Sequence, residues 1–470
     1  MQRSKLIDVL RKFETRDYRR LKELLCSPFF NKNEELVLLL QYIQKHCKNF
    51  DSKKLDRAIV YKNVFNGKPF DEKHLGYLQS DLLKMIEKFR VHEEIENSNF
   101  QNYAIAANFY HDQKIEKNFQ QTLRKAKEFQ EKSSFRDSQY YYNNYLMYEI
   151  ANAHYEQQQS RKFDDSLQNS VDNLDNFYLI NKLKASCEML NRKNIISGEY
   201  EIKFMENILN YLADSQEQVP AIEIYYTIYK MLNSDDRSHF DHLNELLTKH
   251  SDLFPFKELR DMYAYAINYA IKKVNHGQTQ FFEDLFELYK ALLDKRIIFD
   301  SKYLSQFTYK NIVSIAIRLK EFEWAKEFMD NYKEELDPSL QENAYAYNTA
   351  KWYYSQKKYT EALRQSLIVE YNDVYYALDT KLIQLKIYFE TDDVDPLLAM
   401  IESFKVYLKR NKLISKTAKE PYFRLIKYIH KATHLPYGKT EKLKKLLEEI
   451  KSDQNVVFMN WLIESLEERN

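Results

Sequence analysis

The sequence predicts an all-α protein, an α-solenoid of antiparallel helix pairs behind an N-terminal helical module, and three observations predict it. Gly and Pro are scarce, 5 and 8 in 470 residues, against roughly 7% and 5% in average chains. That is too few for the tight turns of a sandwich or barrel, or for the glycine fingerprints of nucleotide-binding α/β folds. Apolar residues recur at helical spacing almost end to end. A short motif also returns after 37 residues. With 44% hydrophobic residues the chain can build a large core, and its 30% of charged residues are mixed as in a globular protein.

Residues 1–90 read as about five helices forming a capping module. Ser27-Pro28 ends one helix, and Asn33 caps the next with Glu34 and Glu35 at the favourable dipole end. Leu36, Leu39, Leu40 and Ile43 fall at i, i+3, i+4 and i+7, a single buried stripe. Asn66-Gly67-Lys68-Pro69 reads as a turn, and Asp71 caps a long amphipathic helix with its stripe at Leu75, Leu78, Leu82, Leu83 and Ile86. The SPFFNKNEEL segment is similar to N-terminal regions of uncharacterised bacterial helical proteins, a likeness that implies no activity.

Residues 91–300 read as helical repeats of irregular length, with breaks at Val219-Pro220, Phe254-Pro255 and His276-Gly277. Further breaks are expected at Asp337-Pro338, Asp395-Pro396 and Glu420-Pro421, giving roughly twenty helices and no sheet. Residues 301–410 carry the regular repeat, and 411–470 form a basic helical cap.

Within the repeat, KEFEWAKEFM at 320–329 aligns with KKYTEALRQS at 357–366, matching Phe322 with Tyr359 and Ala325 with Ala362. Another 37 residues reach Ala399. Small residues there let two helices approach closely. Over residues 301–410 the chain resembles tetratricopeptide repeats, best in the second unit with Ala350, Tyr353, Tyr359, Ala362 and Leu363, and in the first with Phe322, Ala325 and Pro338. The third unit keeps Ala399 but has Ile387 and Glu390 where the family has a small residue and an aromatic, and the period exceeds the family's 34 residues. The resemblance implies a concave face lined by first helices. Its positions are Lys310 and Arg318, then Tyr347, Lys351 and Tyr354, then Lys381 and Tyr388. Tyrosines among cations suit an acidic or carboxylate-bearing peptide. On that reading, Tyr347→Ala with Lys351→Ala would weaken capture and barely change stability.

The net charge of +1 is unevenly spread, with +8 in residues 1–90 and +6 in 401–470 around an acidic middle. Residues 401–445 hold 13 Lys and Arg against 3 Asp and Glu. There Lys409, Arg410, Lys412, Lys416, Arg424 and Lys427 interleave with aromatics, a pattern compatible with phosphate contacts and base stacking. Three cysteines, Cys26, Cys47 and Cys187, make no disulfide framework, and their helical apolar settings predict buried thiols. No apolar run approaches the roughly 18 residues of a membrane span, and the first twenty residues lack a secretory signal, so the expected compartment is the cytoplasm.

Catalytic and metal patterns are weak. Gly438-Lys439-Thr440 has Thr433 where a phosphate-binding loop needs Gly. The pairs His430/His434 and His239/His242, the latter near Asp235, Asp236 and Asp241, lack a third ligand in sequence. Asp392, Asp393 and Asp395 lack the Gly and Glu of a calcium loop and read as helix caps. The expected function is therefore a non-enzymatic scaffold binding a protein or peptide partner, with no cofactor, metal or membrane. The alternative is a nucleic-acid-associated regulator using the basic C-terminal region.

Overall fold

Helical spacing in the sequence becomes helix throughout the computed structural model. It describes all residues except 47–49, 51, 159–162, 194–199, 215–218, 235, 300–302, 371–373, 436–439, 454 and 469–470. Among the described residues there are 23 α-helices and no strand; one isolated bridge joins Leu304 and Leu336. Packing divides the chain into two compact units, Met1–Ala185 with Phe204–Ile222, and Ser186–Lys203 with Glu223–Asn470.

In the first unit one core gathers residues from Met1 to Phe89, with Leu36, Leu39, Leu40 and Ile43 buried as the stripe predicts. The Glu34–Gln44 helix starts where Asn33 Oδ1 accepts from Glu35 N at 3.0 Å. The 26-residue Glu72–Asn97 helix starts where Asp71 Oδ1 accepts from His74 N at 3.0 Å. Between them Gly67 supplies a positive φ of 83°, which glycine adopts without the Cβ cost other residues incur. Beyond this core, the Asn99–Asp112 and Glu116–Glu131 helices form a hairpin against Ser138–Gln157, around Phe100, Ala126 and Met147.

The second unit contains a series of helix hairpins. Gln306–Arg318 pairs with Phe322–Tyr332, Gln341–Ser355 with Tyr359–Ser366, and Val374–Glu390 with Val394–Arg410. Each hairpin turns on a non-glycine residue in the left-handed region, Lys320 (φ 65°), Lys357 (φ 60°) and Asp392 (φ 58°). At the middle turn Lys357 N donates to Tyr354 O at 2.9 Å and Lys358 N to Tyr353 O at 3.0 Å, and the other two turns repeat the pattern. This closure satisfies helix-end carbonyls and reverses the chain within three residues. The first helices pack on one another in sequence, 306–318 on 341–355 on 374–390.

Ala325, Ala350 and Ala362 are fully buried at these crossings. The third unit departs from the repeat: Ala399 is exposed, and Leu397 and Ile401 take the seam. The shift follows the turns, since Lys357 and Asp392 lie 35 residues apart. The breaks expected at Pro220, Pro255 and Pro338 fall at or between helix ends, and those at Pro396 and Pro421 fall a few residues earlier, leaving each of these two prolines inside a helix. Pro396 sits in the first turn of Val394–Arg410, where its missing N–H has no helical partner to lose, and Lys416–Thr433 runs through Pro421. A single core from Leu378 to Leu466 crosses the 410/411 boundary, so the basic C-terminal helices complete the third hairpin's core.

Large tyrosines are buried in helix seams. The rings of Tyr225, Tyr309, Tyr376 and Tyr428 are enclosed while each hydroxyl keeps a partner: Glu258 at 2.7 Å, Met329 O at 2.8 Å, Gln306 O at 3.2 Å and Asp453 at 2.8 Å. A buried hydroxyl without a partner would lose its hydration for nothing.

Candidate functional site

Successive first helices put a polar network between hairpins. Asp379 on Val374–Glu390 pairs with the Lys310 ammonium from Gln306–Arg318, and Tyr347 OH on Gln341–Ser355 donates to the same carboxylate at 3.2 Å. Lys351 Nζ donates to Ser314 Oγ at 2.6 Å, across the 37-residue repeat, and Ser314 in turn donates to Lys310 O at 2.6 Å. Farther along the same helix, Glu390 accepts from Tyr354 OH at 2.5 Å, Tyr359 OH at 2.7 Å and Trp461 Nε1 at 2.5 Å. One carboxylate thus joins two hairpin helices to the Met459–Glu467 helix.

Two lysines lie on that helix between the carboxylates. Lys381 is 7% exposed, with Nζ 3.4 Å from Ser403 Oγ and 5.5 Å from the Tyr407 ring centroid. Lys386 is 9% exposed and makes no hydrogen bond or ion pair among the described residues; its ammonium lies 3.9 Å from the Phe458 ring and 4.7 Å from that of Trp461. Aromatic faces attract a cation, most strongly when both are out of water.

Burial dominates the electrostatics. It pushes the Lys386 ammonium down to about 8, with Glu390 opposing. It pushes Lys351 down to about 8 as well, against the attraction of Asp379 and with the help of the like-charged Lys310. Burial, then a neighbouring carboxylate, pushes Tyr347 and Tyr354 well above the usual phenol range. All of these shifts favour neutral side chains. The network therefore fixes helices, and its groups face one another.

This placement corrects the expectation of an open cationic face. Tyr347 and Lys381 are buried. Lys310, Lys351 and Tyr354 are half-buried and engaged with Asp379, Ser314 and Glu390. Tyr388 packs on the C-terminal core. Arg318 alone of the seven is exposed, its guanidinium 5.6 Å from the Phe282 ring. The reason is that each first helix is covered on more than one side by its neighbours, so side chains a peptide would meet meet another helix first.

The basic C-terminal residues divide in two. Arg424 is held by Glu420 and Asp453, and Lys427 by Glu449 at 3.3 Å. Lys409, Arg410, Lys412 and Lys416 are exposed and have no ion pair among the described residues. They surround the link between Val394–Arg410 and Lys416–Thr433, where Leu413 stands 85% exposed.

The remaining candidates scatter. His434 Nδ1 donates to His430 O at 2.8 Å in a cleft with Lys431, Lys442 and Lys445, and His242 lies 3.5 Å from Glu223. Asp236 caps the Arg237–His250 helix, Asp392 occupies its left-handed turn, and Asp235, Gly438 and Lys439 lie outside the described residues. Among the described residues no group of three or more His, Cys, Asp or Glu is arranged to hold a metal ion, and no helix is long and apolar enough to cross a membrane. Cys187 is buried, but Cys26 is exposed at the end of Thr15–Cys26, contrary to expectation; Cys47 lies outside the described residues.

The sequence reading missed Ser314, Asp379, Lys386 and Trp461. Their signal was present only as polar residues inside otherwise apolar helices. No family model matches the chain, and neither a curated protein nor a solved structure is significantly similar to it.

Proposed function

We propose that the chain is a non-enzymatic cytoplasmic scaffold, built of tetratricopeptide-like hairpins, that holds an acidic protein partner at the 409–416 link. The observation carrying this reading is Leu413, 85% exposed and flanked by Lys409, Arg410, Lys412 and Lys416, all exposed. Burying such a leucine in a partner is worth about 1.5–3 kcal/mol, and four exposed cations steer an acidic surface toward it. The first-helix network supports the reading in another way: Lys310, Tyr347, Lys351 and Tyr354 are engaged with Asp379, Ser314 and Glu390, whereas the four cations of the link make no ion pair among the described residues. Capture from native cytoplasm tests this. Leu413→Ser should weaken it by ~1–2 kcal/mol while leaving the fold intact, and nuclease should not release the partner.

The same unpaired cations favour a second reading, nucleic-acid binding by the basic C-terminal region. That reading expects nuclease-sensitive capture, a steep loss of affinity with salt, and indifference to Leu413→Ser. Charge reversal at Lys409, Arg410 and Lys412 weakens binding on either reading, so the leucine separates them.

A further inference from the structure

The 28-residue Ser166–Lys193 helix carries apolar residues on two faces, and one of them is left open. Ile180 and Leu183 are fully buried on the covered face, and Ser170 at its edge donates to Glu149 Oε1 on Ser138–Gln157 at 2.5 Å. On the other face Leu167, Val171, Leu174 and Tyr178 stand 56%, 43%, 40% and 45% exposed. Ala185, also exposed, lies seven residues beyond Tyr178. A surface helix ordinarily turns polar side chains outward. Four large apolar residues in one outer row are a surface awaiting a partner.

The spacing of the row says what fits it. Leu167, Val171, Leu174 and Tyr178 follow at intervals of four, three and four residues, and Ala185 continues the count. That is the alternation of a coiled coil, whose 3.5-residue repeat keeps one seam against a second helix. The polar position within the row, Asn181, is engaged sideways, its amide donating to Ser138 Oγ at 2.6 Å.

Charge selects the second helix and its direction. From Phe163 to Asn181 the charged residues are Asp164, Asp165, Asp172 and Asp175, with no Lys or Arg. From Lys182 to Lys193 four cations stand against Glu188 alone. The acidic half of this helix therefore complements its own basic half when a copy runs antiparallel. Laid that way about Tyr178, Val171 meets Ala185 of the second copy, and Asp175 stands beside Lys182 of the second copy. A parallel copy would set aspartate beside aspartate. The four aspartates likewise repel an anionic membrane, which apolar helix faces bind with flanking Lys and Arg.

We propose that the Leu167–Ala185 face is a self-association surface, through which two copies of this chain pair as an antiparallel coiled coil. Each copy uses the same patch, so the contact closes as a two-fold dimer. The row is about 27 Å long at 1.5 Å per residue, short of the three to four heptads of a sustained coiled coil. The dimer therefore dissociates on dilution.

Sedimentation equilibrium of the whole chain over a range of concentrations tests this. The wild-type mass should rise from 56.9 kDa toward twice that value. Val171→Glu/Leu174→Glu, at two exposed positions, should weaken dimerisation about 100-fold or more and leave the circular dichroism unchanged. Asp175→Lys should weaken it about 3–10-fold. Adding Lys182→Asp should restore it, because the exchanged charges again face each other across an antiparallel seam. A wild-type chain that stays monomeric throughout overturns the proposal. So does a dimer indifferent to the folded glutamate variant, or a charge exchange that rescues nothing.

Discussion

In the Glu34–Gln44 helix the buried residues are Leu36, Leu39, Leu40 and Ile43, a single apolar stripe with solvent on the other side. In Val374–Glu390 every residue from Thr380 to Ile387 is buried, Lys381, Gln384 and Lys386 among them. The first helix is held by shape and hydrophobic area. The second is enclosed all round and must also find partners for its polar groups. Enclosure, more than composition, sets the demands on each side chain.

The largest test of that contrast is truncation in each region. Leu39→Ala should cost ~2–5 kcal/mol and Tyr347→Ala ~3–5 kcal/mol, both measured by denaturant unfolding. The second value replaces the small effect expected of an exposed tyrosine. A Tyr347→Ala change below about 1 kcal/mol would return that residue to the surface.

Next comes Asp379→Ala, expected to cost ~2–3 kcal/mol. This is below the ~3–5 kcal/mol of a fully buried pair, because the Lys310 and Asp379 side chains keep 20% and 26% exposure. Adding Lys310→Met should recover part of the loss; strict additivity would mean that the pair is not coupled.

Lys386→Met should stabilise by ~1–2 kcal/mol at pH 7, since removing a desolvated charge outweighs the lost aromatic contacts. The pH dependence has a definite sign. With Lys386 held near 8 against an ordinary 10.5, the unfolded chain binds more protons between those values. Stability therefore rises with pH from about 8 toward 10, by up to ~1 kcal/mol per unit from this group. Lys351 acts in the same direction, so Lys351→Met/Lys386→Met should flatten the rise; an unchanged slope would refute the burial of both amines.

The smallest effects concern the turns. The N-terminal module uses Gly67 at positive φ, whereas the repeat hairpins use Lys320, Lys357 and Asp392. Gly67→Ala should cost ~1 kcal/mol and Lys357→Gly should gain ~0.5–1 kcal/mol, read as opposite shifts in Tm.

What could be read in advance follows the same division. The Asn33 and Asp71 caps, the leucine stripes and the seams at Ala325 and Ala362 are local or periodic, so they stand in the sequence. The repeat slipped at Ala399 because the turn at Asp392 comes two residues early, a backbone event with no glycine to announce it. Lys381 looked like a solvent-facing cation and Lys386 did not stand out at all, because a lysine's surroundings depend on which helices arrive beside it. The candidate site was thus legible as a set of residues on the right helices, but not as an interior.

The carboxylates of this interior also set an order in time. Lys310 waits for Asp379, 69 residues later, and Glu390 waits for Trp461, a further 71 residues on. During synthesis the helices at 306–318 and 341–355 leave the ribosome before the group that neutralises Lys310 has been made. Chain ends placed near residue 370 would leave Lys310 and Tyr347 facing a missing helix. Nascent chains of that length should remain protease-sensitive, and protection should appear only once Val374–Glu390 has emerged.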